Sequence, residues 1–354
     1  MLGLAGGIAG GVAALRLGEP GEPPVAASPP AGTATPSAPV GLRSTVDRVL
    51  PAVVTVLAQL PSERLEDGRV LERQNVGSGV IVSDDGHVIT NFHVIEGAAE
   101  IAVVLATGEV RPARPLADDS PFTDLAVLVT PQQGLRKLDF GDSGALRAGD
   151  PVLAVAGGLL GYDHTVSAGI VSATGRAWPR NGVVLEDLVQ TDAAVNHGNS
   201  GGALVDIEGR LVGLLTTVVR ADASGQAVEG VAFAQSSDSL EPVVSQIIRE
   251  GEFPRPRIGI ERLDQHVEIS PELAQERGLP VTQGALVLAP AKGSPARAAG
   301  IEEGDIVVAM NGVGVDFDNP LPNLLKRLQP GVDAELVVLR GDRQLLITIS
   351  PWQE

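Results

Sequence analysis

The chain has 354 residues, a length that allows two or three domains, each with its own core. A formal net charge of −18 argues against nucleic-acid partners, because such a surface repels phosphates. The absence of cysteine excludes disulfides, thiol nucleophiles and thiolate metal sites, and only 3% aromatic residues leaves the cores to small aliphatic side chains.

Residues 1–15 are wholly apolar and rich in glycine, shorter than the roughly 20 residues a membrane-spanning helix needs. No basic residue precedes them and Arg16 follows, the reverse of the charge placement that exports what comes after. Residues 1–17 are expected to be an anchor or export signal, either cut short or imperfect, with a plain apolar tail as the alternative. Residues 18–41 hold seven prolines among Ala, Gly, Ser and Thr and read as a disordered, extended linker.

From residue 42 the pattern becomes short apolar runs separated by turn signals. Ser44-Thr45-Val46-Asp47 has the form of a helix-starting cap. Strands are expected at 53–57, 79–82, 87–90, 101–105 and 125–129, with Asp84-Asp85-Gly86 and Ala106-Thr107-Gly108 as hairpin turns and a short loop at 61–74. Further strands are expected at 151–155, 165–173, 182–190, 203–206, 211–219 and 230–234, then a helix at 240–250 and a linker at 251–257. From 258 to 354 the pattern changes. It predicts strands at 284–288, 334–340 and 344–350, a short helix opened by Ser294-Pro295, and a helix at 319–328.

The chemistry concentrates at Gly198-Asn199-Ser200-Gly201-Gly202. Glycines on both sides let a serine protrude from a tight turn, and free the Gly198 and Ser200 amides to converge on an oxyanion, with Asn199 between them. A serine hydroxyl needs a base, and the base an orienting acid. Among the five histidines, His93 closes a strand-like run, and Asp124 stands just before another; the order His93, Asp124, Ser200 is that of chymotrypsin-like sites. In this reading Ser200 attacks the peptide carbonyl, His93 shuttles the proton and Asp124 fixes the imidazole.

Thr90-Asn91-Phe92-His93-Val94, Thr123-Asp124-Leu125-Ala126-Val127-Leu128 and Gly198-Asn199-Ser200-Gly201-Gly202 together resemble the HtrA (Deg) family of trypsin-like serine proteases. Residues 301–312 (IEEGDIVVAMNG) resemble the most recognisable stretch of a PDZ domain. The resemblance implies a mostly β chain, with a chymotrypsin-like double β-barrel over 42–250 followed by a small α+β PDZ domain over 258–354. It places the pocket for the residue before the cut at Val195 and at Val231, Ala232, Phe233 and Ala234, small apolar side chains that imply cleavage after Val, Ala or Ile; ordinary barrel core is the equal alternative. Arg257-Ile258-Gly259-Ile260 matches the loop whose amides capture a peptide's C-terminal carboxylate. Arg176 matches a regulatory arginine, with an exposed solubilising arginine as the alternative.

The implied activity is ATP-independent cleavage of misfolded or signalling proteins outside the cytoplasm by a homotrimer tethered through its N-terminus. The alternative is a protease-dead chaperone or peptide-binding scaffold, which the intact His93, Asp124 and Ser200 disfavour. His87, His164, His197 and His266 read as bystanders, and Asp118-Asp119 as a solvated loop. No metal-ligand spacing and no phosphate loop after a strand is present, so neither metal nor cofactor is expected. One departure from the family pattern is Ala156-Gly157-Gly158-Leu159-Leu160-Gly161, where an Asn-Pro turn is usual.

Overall fold

The computed structural model describes residues 41–353 apart from 65–69, 132–133, 159–163, 181–182, 197, 220–225, 227, 262–265 and 329–330. The expectations for residues 1–40 and for His197 lie outside the described residues. Helix α1 (Leu42–Val49) leads into six strands that close a barrel: β1 (Val53–Arg64), β2 (Val70–Ile81), β3 (His87–Asn91), β4 (Glu100–Val104), β5 (Val110–Asp118) and β6 (Leu125–Val129), in the order β1-β2-β3-β6-β5-β4. A one-turn helix, α2 (Phe92–Ile95), follows β3. A second closed barrel has the order β10-β11-β12-β9-β8-β7, built from β7 (Pro151–Ala156), β8 (Thr165–Arg180), β9 (Val183–Thr191), β10 (Ala203–Val205), β11 (Leu211–Val218) and β12 (Ala232–Ser236).

The apolar runs are nearly continuous because both faces of these strands are covered. On β1, Val54, Val56 and Ala58 fill the first barrel while Val53 faces the second. On β6, Ala126 and Leu128 point inward, and Leu125 and Val127 enter a core shared by the two barrels. On β7, Val152 and Ala154 fill the second barrel, and Leu153 and Val155 join the shared core. That core is closed by α3 (Ser237–Glu250), whose N-terminus is capped by Ser236 and whose C-terminus ends on Gly251 at φ 85°.

The second region joins its own ends, since β13 (Pro256–Arg257) pairs with β20 (Trp352–Gln353). Between them run β14 (His266–Glu268), α4 (Pro271–Arg277), β15 (Ala285–Val287), α5 (Pro295–Ala298), β16 (Ile306–Met310), β17 (Val313–Gly314), α6 (Leu321–Lys326), β18 (Ala334–Arg340) and β19 (Arg343–Ile349). The sheet order is β14-β15-β16-β18-β19, with β17 paired to β16, around a core that includes Ile258, Ile260, Val307, Leu324 and Leu336. Asn323 of α6 bonds Val184 of β9 twice, through its Oδ1 to the amide and its Nδ2 to the carbonyl, each at 2.8 Å. Lys326 and Arg327 pair with Glu186 on the same strand.

Several local expectations are corrected. Helix α1 starts before Ser44, at Leu42, and no side chain caps it; Ser44 Oγ instead donates to Gly41 O, and buried Thr45 donates to Ile207 O in the β10–β11 turn. The expected loop at 61–74 is largely strand, because the β1–β2 ladder continues to Arg64 opposite Val70, with a bulge between Leu60 and Glu63 that accommodates Pro61. Strand β5 was hidden by Pro112 and Pro115, residues that demote a strand in sequence; the ladder to β6 tolerates Pro115 through a bulge before Ala117. Strand β8 runs on to Arg180 rather than ending at Ala173, and its register with β9 shifts three times.

Candidate active site

His93 is presented by α2 directly after β3, and Asp124 by the turn that enters β6. Asp124 is held at φ 56°, a left-handed conformation uncommon for a side-chain-bearing residue, and its carbonyl accepts from the Phe92 amide at 2.7 Å. Its carboxylate grips His93 twice: Oδ1 accepts from the backbone amide at 3.0 Å and Oδ2 lies 2.8 Å from Nδ1. With Asp124 at Nδ1, the Nε2 face of the imidazole is left to act as base.

Ser200 lies in the loop between β9 and β10 of the second barrel. Its loop is bolted to the first barrel by Ser78 of β2, whose amide donates to Ser200 O and whose hydroxyl donates to Gly198 O, each at 2.8 Å. Thr90 Oγ1 in turn donates to Ser78 O at 2.7 Å. Gly201, at φ 83°, could carry no side chain, since a Cβ there would meet Ser78 O and lie 2.5 Å from Thr90 Oγ1. Its amide and the Leu215 carbonyl join the loop to β11 at 2.8 Å. The Asn199 amide is committed to Asn196 O at 3.1 Å, whereas among the described residues the amides of Gly198 and Ser200 donate to no other group.

Thr216 of β11 links the two walls. Its hydroxyl donates to Asp124 Oδ2 at 3.2 Å, and its carbonyl accepts from Ser200 Oγ at 3.4 Å. Arg180, at the end of β8, also reaches Asp124 Oδ2 (2.6 Å) and Thr216 Oγ1 (3.1 Å). A cleft of about 270 Å³ beside Ser200 is lined by Trp178, Arg180, Asn196, Thr216, Thr217 and Val218. Sequence reasoning missed Thr216, Trp178 and Arg180. The last two lie in the part of β8 whose broken alternation masks it as a strand.

The residues expected to line the specificity pocket take other places. Ala232, Phe233 and Ala234 are buried in the second barrel, Phe233 with its ring 5.3 Å from that of Trp178. Val195 and Val231 are half-buried against two apolar clusters, and none of the five lines the cleft. Both faces of β12 are covered, so Ala232, Phe233 and Ala234 pack into the core. Arg176 lies on the exposed side of the β8–β9 hairpin, bonded to Gln190 Oε1 at 3.1 Å. The Asp118-Asp119 pair is not a solvated loop: Asp119 is fully buried and accepts a bidentate pair from Arg255, at 2.9 Å through each nitrogen. Arg255 also lies over the rings of Phe253 and Phe122. Thus the segment after α3 clamps the loop that delivers Asp124. In the second region, Arg257 ends β13, Ile258 and Ile260 are buried, and Gly259 turns at φ 86°.

Two barrels with a His–Asp pair on one and a glycine-flanked serine on the other, followed by an α+β unit with a six-stranded sheet, define a trypsin-like peptidase joined to a PDZ domain. The trypsin-like peptidase domain family matches residues 77–214 and the PDZ domain family residues 256–350. Among curated proteins, a probable periplasmic serine endoprotease DegP-like of Halomonas elongata is 36% identical over 298 residues, covering 84% of this chain and 60% of that protein. Its namesake in Chlamydia trachomatis is 39% identical over 295 residues, covering 83% and 57%. The chain thus spans little more than half the length of these relatives. Among solved structures, the HtrA-type protease AlgW with a decapeptide superposes with a TM-score of 0.57 at 32% identity, covering 88% of this chain and 98% of that one. A serine endoprotease from Yersinia pestis gives 0.56 at 30% identity, covering 90% and 99%. The chain belongs to the HtrA family of trypsin-like serine proteases.

Proposed function

We propose that the chain is an ATP-independent serine endopeptidase that cleaves misfolded or signalling proteins outside the cytoplasm. The observation that carries the reading is the doubly held His93–Asp124 pair, joined through Thr216 to Ser200. In the proposed reaction Ser200 Oγ attacks the scissile carbonyl as His93 Nε2 takes its proton. Asp124 stabilises the imidazolium and the Gly198 and Ser200 amides receive the oxyanion. His93 then protonates the leaving amine, and a water repeats the sequence to free the acyl group. Among the described residues the cleft lining contains no aspartate or glutamate, which weighs against cleavage after Lys or Arg; the preference for small aliphatic residues rests on the family resemblance alone.

The same reading takes residues 42–250 as the peptidase and 258–354 as the PDZ domain, with the loop at Arg257, Ile258, Gly259 and Ile260 receiving C-terminal peptide tails. It takes the working assembly as a homotrimer held to the outer face of a membrane by residues 1–17. An extracytoplasmic site fits the periplasmic relatives. Among the described residues no helix is long and apolar enough to cross a membrane. The test is digestion of unfolded casein by residues 42–354 and by the Ser200→Ala variant. Digestion by the parent alone supports the reading. Failure of the parent, even with peptide tails present, favours a peptide-binding scaffold.

A further inference from the structure

The PDZ loop already holds a carboxylate. Gly259, at φ 86°, turns its own amide and that of Ile260 toward one point, the geometry of a backbone nest that binds anions. The occupant is Glu261: its Oε2 accepts from Gly259 N at 2.7 Å and from Ile260 N at 2.9 Å. The side chain is only 4% exposed, and its other oxygen lies 4.0 Å from Arg257 Nη1. The loop is fixed from behind, where Gly259 O accepts from Ala291 N and Ile258 O from Ala296 N, at 2.9 and 2.8 Å. Gly259 is also pressed against Ser294, which a Cβ at that position would strike. The nest is therefore rigid and filled.

These two amides are the ones to which the peptide-tail reading assigns the ligand's terminal carboxylate, so the inference rests on that reading. A second carboxylate brought to the nest would share two donors with the first, and like charges at that separation repel. We propose that Glu261 is a built-in occupant of the tail-binding nest, and that a peptide C-terminus binds only by displacing it. Tail affinity is then the intrinsic affinity reduced by the fraction of molecules in which Glu261 has swung away; an open fraction of about a tenth weakens it about tenfold. The device selects for ligands whose apolar side chains and strand hydrogen bonds compensate the displacement, and against those offering little beyond a carboxylate.

The experiment measures fluorescence anisotropy of a pool of fluorescein-labelled decapeptides. The pool is randomised except for a free C-terminal Ala, Val, Leu or Phe, and a matched pool carries C-terminal amides. The protein is the full chain with Glu261, Glu261→Ala or Glu261→Gln. The expected result is binding of the acid pool about tenfold or more tighter by Glu261→Ala. Glu261→Gln should fall between, because a neutral carboxamide oxygen is a weaker acceptor for the same amides. The amide pool should bind all three proteins alike. Were Glu261→Ala to misfold on thermal denaturation, the Gln variant carries the comparison. Equal and measurable affinity of parent and variants for the acid pool overturns the proposal while leaving the tail-binding reading intact. No binding by any of the three overturns both.

Discussion

Two loops of this molecule use the same backbone device with opposite contents. The nucleophile loop turns at Gly198 (φ 88°) and the PDZ loop at Gly259 (φ 86°), both in the left-handed region that favours glycine. Among the described residues the Gly198 and Ser200 amides have no acceptor, whereas those of Gly259 and Ile260 are both taken by Glu261. The difference follows from where each charge originates. In the proposed reaction negative charge exists at the first loop only in passing, so donors left free in advance would lower the barrier. At the second, in the proposed tail-binding reading, the ligand would arrive already charged, and the resident Glu261 carboxylate would set a threshold for binding.

The largest expected effect breaks only the first loop's function. Ser200→Ala removes turnover by roughly 10⁶-fold, by analogy with subtilisin, while peptide-tail affinity stays unchanged. Loss of both would deny the separation of the two sites. Asp124→Asn comes next, because a carboxamide presents His93 with the wrong tautomer; kcat is expected to fall about 10⁴-fold with KM little changed. Steady-state kinetics on a chromogenic peptide checks both values.

A smaller effect is expected at the clamp between the two regions. Arg255→Ala leaves Asp119 buried and unpaired, which costs about 3 kcal/mol of stability and lowers Tm. Because Asp119 belongs to the loop that positions Asp124, kcat should fall with it, and Arg255→Lys should restore part of each. Unchanged kcat in a folded Arg255→Ala protein would confine the clamp to stability. The smallest effect concerns the seat of α6 on β9. Burial alone would raise the Glu186 carboxyl, but Lys326 and Arg327 overrule it and hold it below its ordinary value of 4.5. A depressed carboxyl stabilises above its unfolded-state value and loses that contribution as pH falls through the folded-state one. The β9–α6 contact is therefore expected to be intact at neutral pH and to weaken below about pH 4, a change that amide exchange at Val184 would report and that Glu186→Gln should abolish.

The sequence singled out His93, Asp124 and Ser200 because each sits in a short motif whose turn chemistry is local, and the structure pairs the first two. Gly201 illustrates this, since its φ of 83° is a turn conformation that favours glycine. Most strands were legible from spacing and the two-barrel architecture from the family resemblance, although the prolines of β5 and the shifting register of β8 concealed strand residues. What stayed hidden was long-range. Thr216 joins Ser200 to Asp124 only after β11 closes the second barrel. Arg255 finds Asp119 across 136 positions of sequence, so a paired aspartate read as solvated. Glu261 lies one residue beyond the PDZ loop motif, and only the fold shows its side chain turning back into the nest.

The central claim is that Ser200 is a nucleophile activated by His93 and oriented through Asp124. The most direct measurement is labelling of residues 42–354 with a fluorophosphonate, followed by mass-spectrometric mapping of the adduct. The account predicts a single adduct on Ser200, formed far more slowly in His93→Ala and Asp124→Asn. An adduct on another residue, or labelling of Ser200 at the parent rate in His93→Ala, would contradict it.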